Sequence, residues 1–544
     1  MGCLSIPFRR LPHQPKLFVQ FVDNFPSVAS FYAHPPTVES VKRAAQSLEF
    51  PTERRRQVAA VLRDCNQLLG GSERTQHNLD QLENGAVAVV SGQQVGLLGG
   101  PAYAFYKALS AIRIAEELSE AGIPAVPVFW MATEDHDLEE VRRVSWFDRG
   151  KLIRFELPAE GHEGQPVGQV PLGAAIEEIT KAAAELCSGP GSGLVSEFIK
   201  ESYSPEETYG SAFGKLFARV FAEFGLILLD PLDARLHRIA APVYKRVVED
   251  RDRLLKELLQ RDEELESAGF DPQVRVTATS TLLFRLKDGV REPIVVGNGA
   301  GHSGGVRFKS AASSWTPEEI IKLLEAEPET FSPNALLRPV VQDYLLPSAG
   351  FLAGPAEISY LAQSEVVYRH VLGRMPAVLP RAAFTILDPK ADKLLQKYQL
   401  CIENIWSGAQ ELRQRMESVS LPTELATDFD RRKTEIETTL SDLGDEIKKL
   451  DPTLSGAVET AKNKMTFQLE KLREKTGRAL DERAGIIAEH VEFLENLLYP
   501  DKALQSRELC FLPFLAQWGV DGLRELKNLA GSESLKEHRI VRIP

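Results

Sequence analysis

Cysteine is scarce and scattered in this chain of 544 residues: Cys3, Cys65, Cys187, Cys401 and Cys510 include no CxxC pair. That spacing supports neither a disulfide framework nor a zinc site and fits free thiols in a reducing compartment. Long apolar runs are missing as well. None approaches the ~20 residues that span a bilayer, and the opening MGCLSIPFRRLPHQP lacks the apolar stretch of a signal peptide. A cytoplasmic protein with no membrane partner is expected. Basic charge is in deficit, with 64 Lys and Arg against 77 Asp and Glu and a formal net charge of −13. A general nucleic-acid binder is therefore not expected, because phosphate backbones are neutralised by clustered cations.

What is present is globular: 43% hydrophobic and 26% charged residues, in a chain long enough for more than one structural unit. Ala86–Val90 is a fully apolar, β-branched run, the pattern of a buried parallel strand. A glycine-rich loop, Ser91–Pro101, leads into a predicted helix over Ala102–Leu118, and Ala125–Trp130 reads as a second strand. Strand, loop, helix, strand is a βαβ unit with a right-handed crossover. Further strands are expected at Leu226–Leu229 and Pro293–Val296, with helices over Tyr209–Phe224 and Leu232–Leu259 between them. The alternation predicts an α/β class with an open, doubly wound parallel sheet. Residues 151–205 read as an inserted connection within a core spanning 1–390.

From about Ala391 charges of both signs interleave and prolines thin out. Leu440, Leu443, Ile447 and Leu450, then Leu454, Val458, Ala461, Met465, Leu469 and Leu472, form a coiled-coil seam. Asp451-Pro452 between them reads as a helix cap followed by proline in the first turn, hence a reversal. Residues 391–500 are expected as an antiparallel helical coiled coil. Ala391–Glu417 and Phe429–Leu450 would run outward, and Thr453–Leu498 would return over on the order of 70 Å. The alternative is a helical subdomain packed flat on the core. Residues 501–544 regain aromatic residues and should dock back.

Chemistry is expected at the carboxyl ends of the strands. There the loop places Gly92, Gln93, Gln94, Gly96, Gly99 and Gly100 before a helix N-terminus, where backbone amides can meet an anion. A side chain at Gly96 or Gly99 should then obstruct the ligand. The loop lacks a Walker GKS or GKT ending and a GxGxxG fingerprint, and it could equally be a plain turn. The second strand runs into Glu134-Asp135-His136-Asp137, three carboxylates beside one histidine. Glu134 or Asp135 could bind an ammonium, and His136 could move a proton near neutral pH. The competing reading is a solvated loop in which Asp137 caps the next helix. Metal-ligand spacing of the HExxH kind is missing, so no metal is expected. In a third stretch Arg338, Gln342, Asp343, Glu357 and Tyr360 stand among apolar residues and Gly-Pro turns. Arg338 suits a carboxylate or phosphate, or a structural pairing with an aspartate.

Taken together, Gly92–Pro101 (GQQVGLLGGP), Trp130–Asp137 (WMATEDHD) and Leu337–Tyr360 (LRPVVQDYLLP, then GPAEISY) resemble the bacillithiol biosynthesis cysteine-adding enzyme family. Pro380-Arg381 before Phe384-Thr385 fits the family's next landmark, and the similarity covers nearly the whole chain. The resemblance implies a Rossmann-type core like that of class I aminoacyl-tRNA synthetases, with a connecting insertion and a C-terminal coiled coil that makes a homodimer. Tyr103 and Tyr106 stand where the synthetase signature carries histidines. The implied activity is a ligase joining L-cysteine to glucosaminyl-malate, with ATP or another nucleotide as activating cosubstrate. On that reading the glycine loop, with Tyr103 and Tyr106, binds an anion, and Glu134 and Asp135 hold the cysteine ammonium or sugar hydroxyls. His136 is the acid/base, and Arg338 grips the malate carboxylates. The rivals are another adenylate-forming or nucleotidyl-transfer enzyme, and a non-catalytic coiled-coil scaffold.

Overall fold

A computed structural model describes residues 3–298, 306–311, 313–419, 423–481 and 485–542. Its centre is a sheet of five parallel strands in the spatial order Ala377–Pro380, Ser348–Ala353, Val87–Gln93, Ala125–Met131, Ile227–Leu229. The apolar runs lack alternation because both faces of the sheet are covered. Val87 and Val89 pack with Ile114 and Leu118 of the helix Tyr103–Glu120 on one face. Ala88 and Val90 join the larger core on the other. The fold is α/β, as expected.

Chain order decides where a ligand can enter. The chain lays down Val87–Gln93, moves outward through Ala125–Met131 to Ile227–Leu229, then returns to the opposite flank for Ser348–Ala353 and Ala377–Pro380. The direction of winding therefore reverses between Val87–Gln93 and Ser348–Ala353, and diverging crossovers open a crevice beyond the strand ends there. Between Ala125–Met131 and Ile227–Leu229 the chain makes the hairpin Arg143–Asp148 and Lys151–Glu156 and the helices Ala175–Leu186 and Ser192–Ser202.

Pro293–Val296 does not belong to the parallel sheet. It lies inside the strand Val290–Asn298 of a separate five-stranded sheet and pairs antiparallel with Ser280–Lys287. One face of this strand is open to solvent: Ile294 is buried while Val295 is exposed. The expected helix Leu232–Leu259 is two helices, Ala234–Glu249 and Arg251–Ser267, broken at Asp250. The Asp250 carboxylate lies 3.0 Å from Nε2 of His370, a partner far along the chain.

The helical arm is an antiparallel hairpin of Thr423–Leu450 and Ser455–Asp481. It reverses where read: the Asp451 side chain accepts from the Thr453 amide at 2.9 Å, and Pro452 opens the following turn. Ion pairs Lys433–Glu470 (2.9 Å) and Arg473–Asp430 (2.8 Å) cross between the helices. Two expectations fail at the base. Ala391–Glu417 is broken into Pro389–Lys397, a 3-10 turn at Ile402–Ser407 and Ala409–Val419, with Gly408 at φ +92° between the last two. The return is also broken, because Ile486–Leu498 starts afresh after Gly485 at φ +65°. The Ser455–Asp481 helix, with 27 residues, therefore reaches about 40 Å rather than 70 Å. Finally, Glu537–Arg542 lies between Cys3–Pro7, antiparallel, and Ala383–Leu387, parallel.

Candidate active site

The crevice at the winding reversal holds a cavity of about 650 Å³. Gly92, Gln93 and Gln94 enter it from the end of the first strand, Glu134 and Asp135 from the second, and Glu357 and Tyr360 from the helix after Ser348–Ala353. Arg338 comes from the start of the helix Arg338–Leu345. The three stretches marked in the sequence thus converge on one place.

Glu134 is the most perturbed acid there. Burial raises its carboxyl to about 8, and the nearby Arg291 and Arg338 only partly oppose that shift. Its Oε1 has no hydrogen-bond partner among the described residues and lies 3.5 Å from Nε2 of buried His237. Burial likewise depresses His237 to about 4, so the histidine stays neutral. Glu134 therefore holds its proton through the neutral range and can exchange it with a ligand.

The two glutamines wire the crevice. Gln94 Nε2 donates to Asp135 Oδ2 and to Glu140 Oε2, each at 2.8 Å, gathering two carboxylates at one rim. Glu140 is raised by burial and by the charges of Asp135 and Asp137. A pair of acids held together by an amide, with no ion pair to Lys or Arg among the described residues, suits an ammonium group. Gln93 donates to the Tyr103 hydroxyl at 2.9 Å and accepts from Lys107 Nζ at 2.8 Å. Lys107 also donates to the Gly92 carbonyl at 2.7 Å and pairs with Glu357. All three ammonium protons are thus directed at partners, and burial brings Lys107 down to about 8 against the pull of Glu357.

Several expected residues lie elsewhere. Gly96, Gly99, Gly100 and Tyr106 do not line the cavity. Gly96 N bonds Gln94 O, Gly99 N faces both Gly96 O and the Tyr203 hydroxyl, and Gly100 N bonds Leu97 O. The loop spends these amides on itself and on Tyr203, so they do not form a cradle for an anion. Tyr106 is buried against Phe384 and Phe511. Gln342 and Asp343 are fully buried: Gln342 accepts from Arg338 at 3.1 Å, and Asp343 accepts from Tyr368. His136 is off the cavity wall and accepts from Arg291 at 3.0 Å. Asp137 caps the short helix Leu138–Val141 by accepting from the Glu140 amide.

Three cations of the cavity lie outside every stretch marked in the sequence, Lys107, Arg291 and Arg507, and Arg381 was marked only as part of the Pro380-Arg381 landmark, not as a site residue. Lys107 had one legible clue, since Ala104, Ala108 and Ala111 around it mark the buried face of its helix. No cluster of His, Cys, Asp and Glu able to hold a metal occurs among the described residues. No helix among them is long and apolar enough to cross a membrane.

Comparison with known proteins agrees with this architecture. Residues 1–382 match the family described as bacillithiol biosynthesis BshC, N-terminal Rossmann-like domain, and residues 384–543 match its C-terminal coiled-coil domain. A protein of Koribacter versatilis named "Putative cysteine ligase BshC" is 39% identical over 539 residues, covering 99% of each chain. One of the same name from Solibacter usitatus is 36% identical over 523 residues, covering 96% of each. Another, from Geobacillus thermodenitrificans, is 28% identical over 542 residues, covering 98% of this chain and 99% of its own.

Proposed function

This chain belongs to the bacillithiol biosynthesis BshC family, and from that premise we propose that it is the ligase joining L-cysteine to glucosaminyl-malate through an amide bond. The observation that carries the reading is the crevice itself, which sets a buried acid of raised pKa beside an acidic rim and a line of arginines. Amide formation needs those three things: a base for the attacking amine, a hold on an ammonium, and cations for carboxylates or phosphates.

Asp135 and Glu140 hold the cysteine ammonium. Arg338, which donates to the uncharged Gln342 and Tyr360 at 3.1 and 3.0 Å, keeps its charge for the malate carboxylates. Glu134, rather than His136, is the acid/base: burial holds its carboxyl near 8, so the fraction ionised near neutral pH is a strong enough base to take the proton of the glucosamine nitrogen as it attacks. A carboxylate is a poor acyl donor, and ATP or another nucleotide, when bound, would supply the group that activates it. The residues that fit its phosphates are the arginines of the crevice, not the glycine loop. The exposed seam residues Leu443, Met465 and Leu472 support a homodimer formed through the arm.

The test is direct. Purified protein incubated with L-cysteine, glucosaminyl-malate and ATP should yield the cysteinyl amide by mass spectrometry. Cells deleted for the gene should lose bacillithiol and accumulate glucosaminyl-malate. Unchanged bacillithiol in the deletion strain would overturn the assignment. Amide formation with a different amine only would mark another adenylate-forming enzyme on this fold.

A further inference from the structure

The flank of the crevice at the outer strand Ala377–Pro380 carries two arginines that form no ion pair among the described residues. Arg381 follows the outer strand Ala377–Pro380, and only 7% of it is exposed. Its Nη1 donates to the Ala382 carbonyl at 2.9 Å, and its guanidinium sits 5.3 Å from the centre of the Tyr103 ring. Its Nε has no hydrogen-bond partner among the described residues. Arg507, from the short helix Gln505–Glu508, lines the same wall from an exposed position. Arg381 is brought down to about 10 by burial first and by repulsion from Arg507 second, so the two cations sense each other. The nearest acid is already committed: Glu357 is paired with Lys107 and accepts from the Gly354 amide at 2.7 Å.

The sheet supplies a ruler for the distance between this end and the acid. Ala377–Pro380 and Ala125–Met131 are separated by two intervening strands. Three inter-strand steps put their ends about 14 Å apart. Arg381 and Glu134 therefore enter the crevice from strand ends on opposite sides of the winding reversal, leaving room between them for two ligand moieties. Two guanidiniums facing one cavity, close enough to repel, match a phosphoryl group, which carries up to two charges and offers several oxygens to planar donors. Arg338 donates to the neutral partners Gln342 and Tyr360 and suits a single carboxylate.

We propose that Arg381 and Arg507 form a phosphoryl subsite, distinct from the Arg338 wall, that holds the phosphate chain of the activating cosubstrate. The identity of that ligand rests on the ligase reading, whereas the subsite itself rests on the geometry. Arg381 at the floor orients the group, and Arg507 at the rim closes over it.

Binding, not turnover, tests it. Full-length protein is titrated calorimetrically with pyrophosphate, ATP and L-malate, as wild type and as Arg507→Ala. Arg507 is exposed, so the variant should keep the wild-type unfolding temperature in the absence of ligand. Loss of charged hydrogen bonds should weaken pyrophosphate and ATP by ~10–100-fold while L-malate changes less than about twofold. Unchanged pyrophosphate affinity in a folded Arg507→Ala protein overturns the subsite. Equal weakening of L-malate and pyrophosphate overturns its phosphoryl character and makes it a general carboxylate site. A protein that binds pyrophosphate through Arg507 yet forms no cysteinyl amide would refute the ligase reading and leave the subsite standing.

Discussion

Arg291 Nη1 stands 3.0 Å from Nδ1 of His136 and donates to it. A guanidinium has no lone pair to offer, so Nδ1 must be the acceptor and the ring's other nitrogen carries the hydrogen. The one lone pair with which His136 could take a proton is occupied. His136→Gln, whose amide oxygen can still accept from Arg291, should lower turnover by less than ~10-fold, whereas Glu134→Gln should lower it ~10²–10⁴-fold. Steady-state rates of cysteinyl amide formation for the two variants decide between them; a larger loss at His136 returns the acid/base role to the imidazole.

Glu134 also makes stability depend on pH in a definite direction. Its folded pKa, about 8, exceeds the ordinary 4.5, so the folded state binds the proton more tightly than the unfolded one. Its contribution is full below about pH 4.5 and is lost as pH rises towards 8. Glu134→Gln removes that loss and should gain on the order of 2–4 kcal/mol over wild type at pH 8, with little difference at pH 5. Urea unfolding at the two pH values measures it; equal wild-type and variant slopes against pH would show that Glu134 is not held protonated.

Lys107 acts as a strut across the winding reversal, joining Gly92 at the end of one strand to Glu357 beyond the next. Lys107→Met leaves the half-buried Glu357 without its cation and should cost about 3–5 kcal/mol. Adding Glu357→Gln removes the stranded charge, and the double variant should recover part of the loss. Chemical denaturation of the single and double variants reads the coupling; strictly additive losses would mean the pair does not hold the crevice.

Gly99 separates a packing role from a binding role. It sits at φ +85°, and a Cβ there would lie 2.7 Å from the Phe105 ring and 3.1 Å from Leu216. Gly99→Ala should destabilise by ~2–4 kcal/mol through strain and overpacking, and Gly99→Val should not fold. Circular dichroism and thermal unfolding check this. A folded Gly99→Val protein that lacks activity would instead restore the loop as an anion site.

The arm makes its own prediction. Leu443 and Leu472 remain 52% and 55% exposed after the hairpin has formed. Replacing both with Asp should convert a homodimer to a monomer by light scattering while leaving the unfolding temperature of the core nearly unchanged. A wild-type chain already monomeric at micromolar concentration would rule the dimer out.

Legibility followed burial. The βαβ unit around the glycine loop could be read because Val87–Val90 and Val126–Trp130 are covered on both faces and so are apolar without interruption. Asp451-Pro452 was equally plain, since cap and proline are local chemistry. Val290–Asn298 was misplaced because its apolar core, Pro293–Val296, mimics a buried parallel strand. The corrective signal was Asp288-Gly289, both at positive φ, in the tight turn that makes this strand a hairpin. Arg381 and Arg507 were silent as site residues because convergence from 126 positions apart is a property of the fold alone. The glycine loop misled for the opposite reason. Glycines permit a close approach, but what approaches Gly99 is Phe105 and what approaches Gly92 is Trp130.

The strand Glu537–Arg542 fills the middle of its sheet, between Cys3–Pro7 and Ala383–Leu387. Ribosomal synthesis runs in one direction, so the N-terminal strand is made early and its hydrogen-bond partner is made more than five hundred residues later. At ~5–20 residues per second that interval lasts about half a minute to two minutes. Throughout it Cys3–Pro7 exposes unpaired backbone, joined for the last part by the inner edge of Ala383–Leu387, the kind of edge on which neighbouring nascent chains can pair. The parallel sheet can assemble during translation, but this seam closes only after Glu537–Arg542 has been made, which makes the interval before it the period when the chain most needs shielding by chaperones.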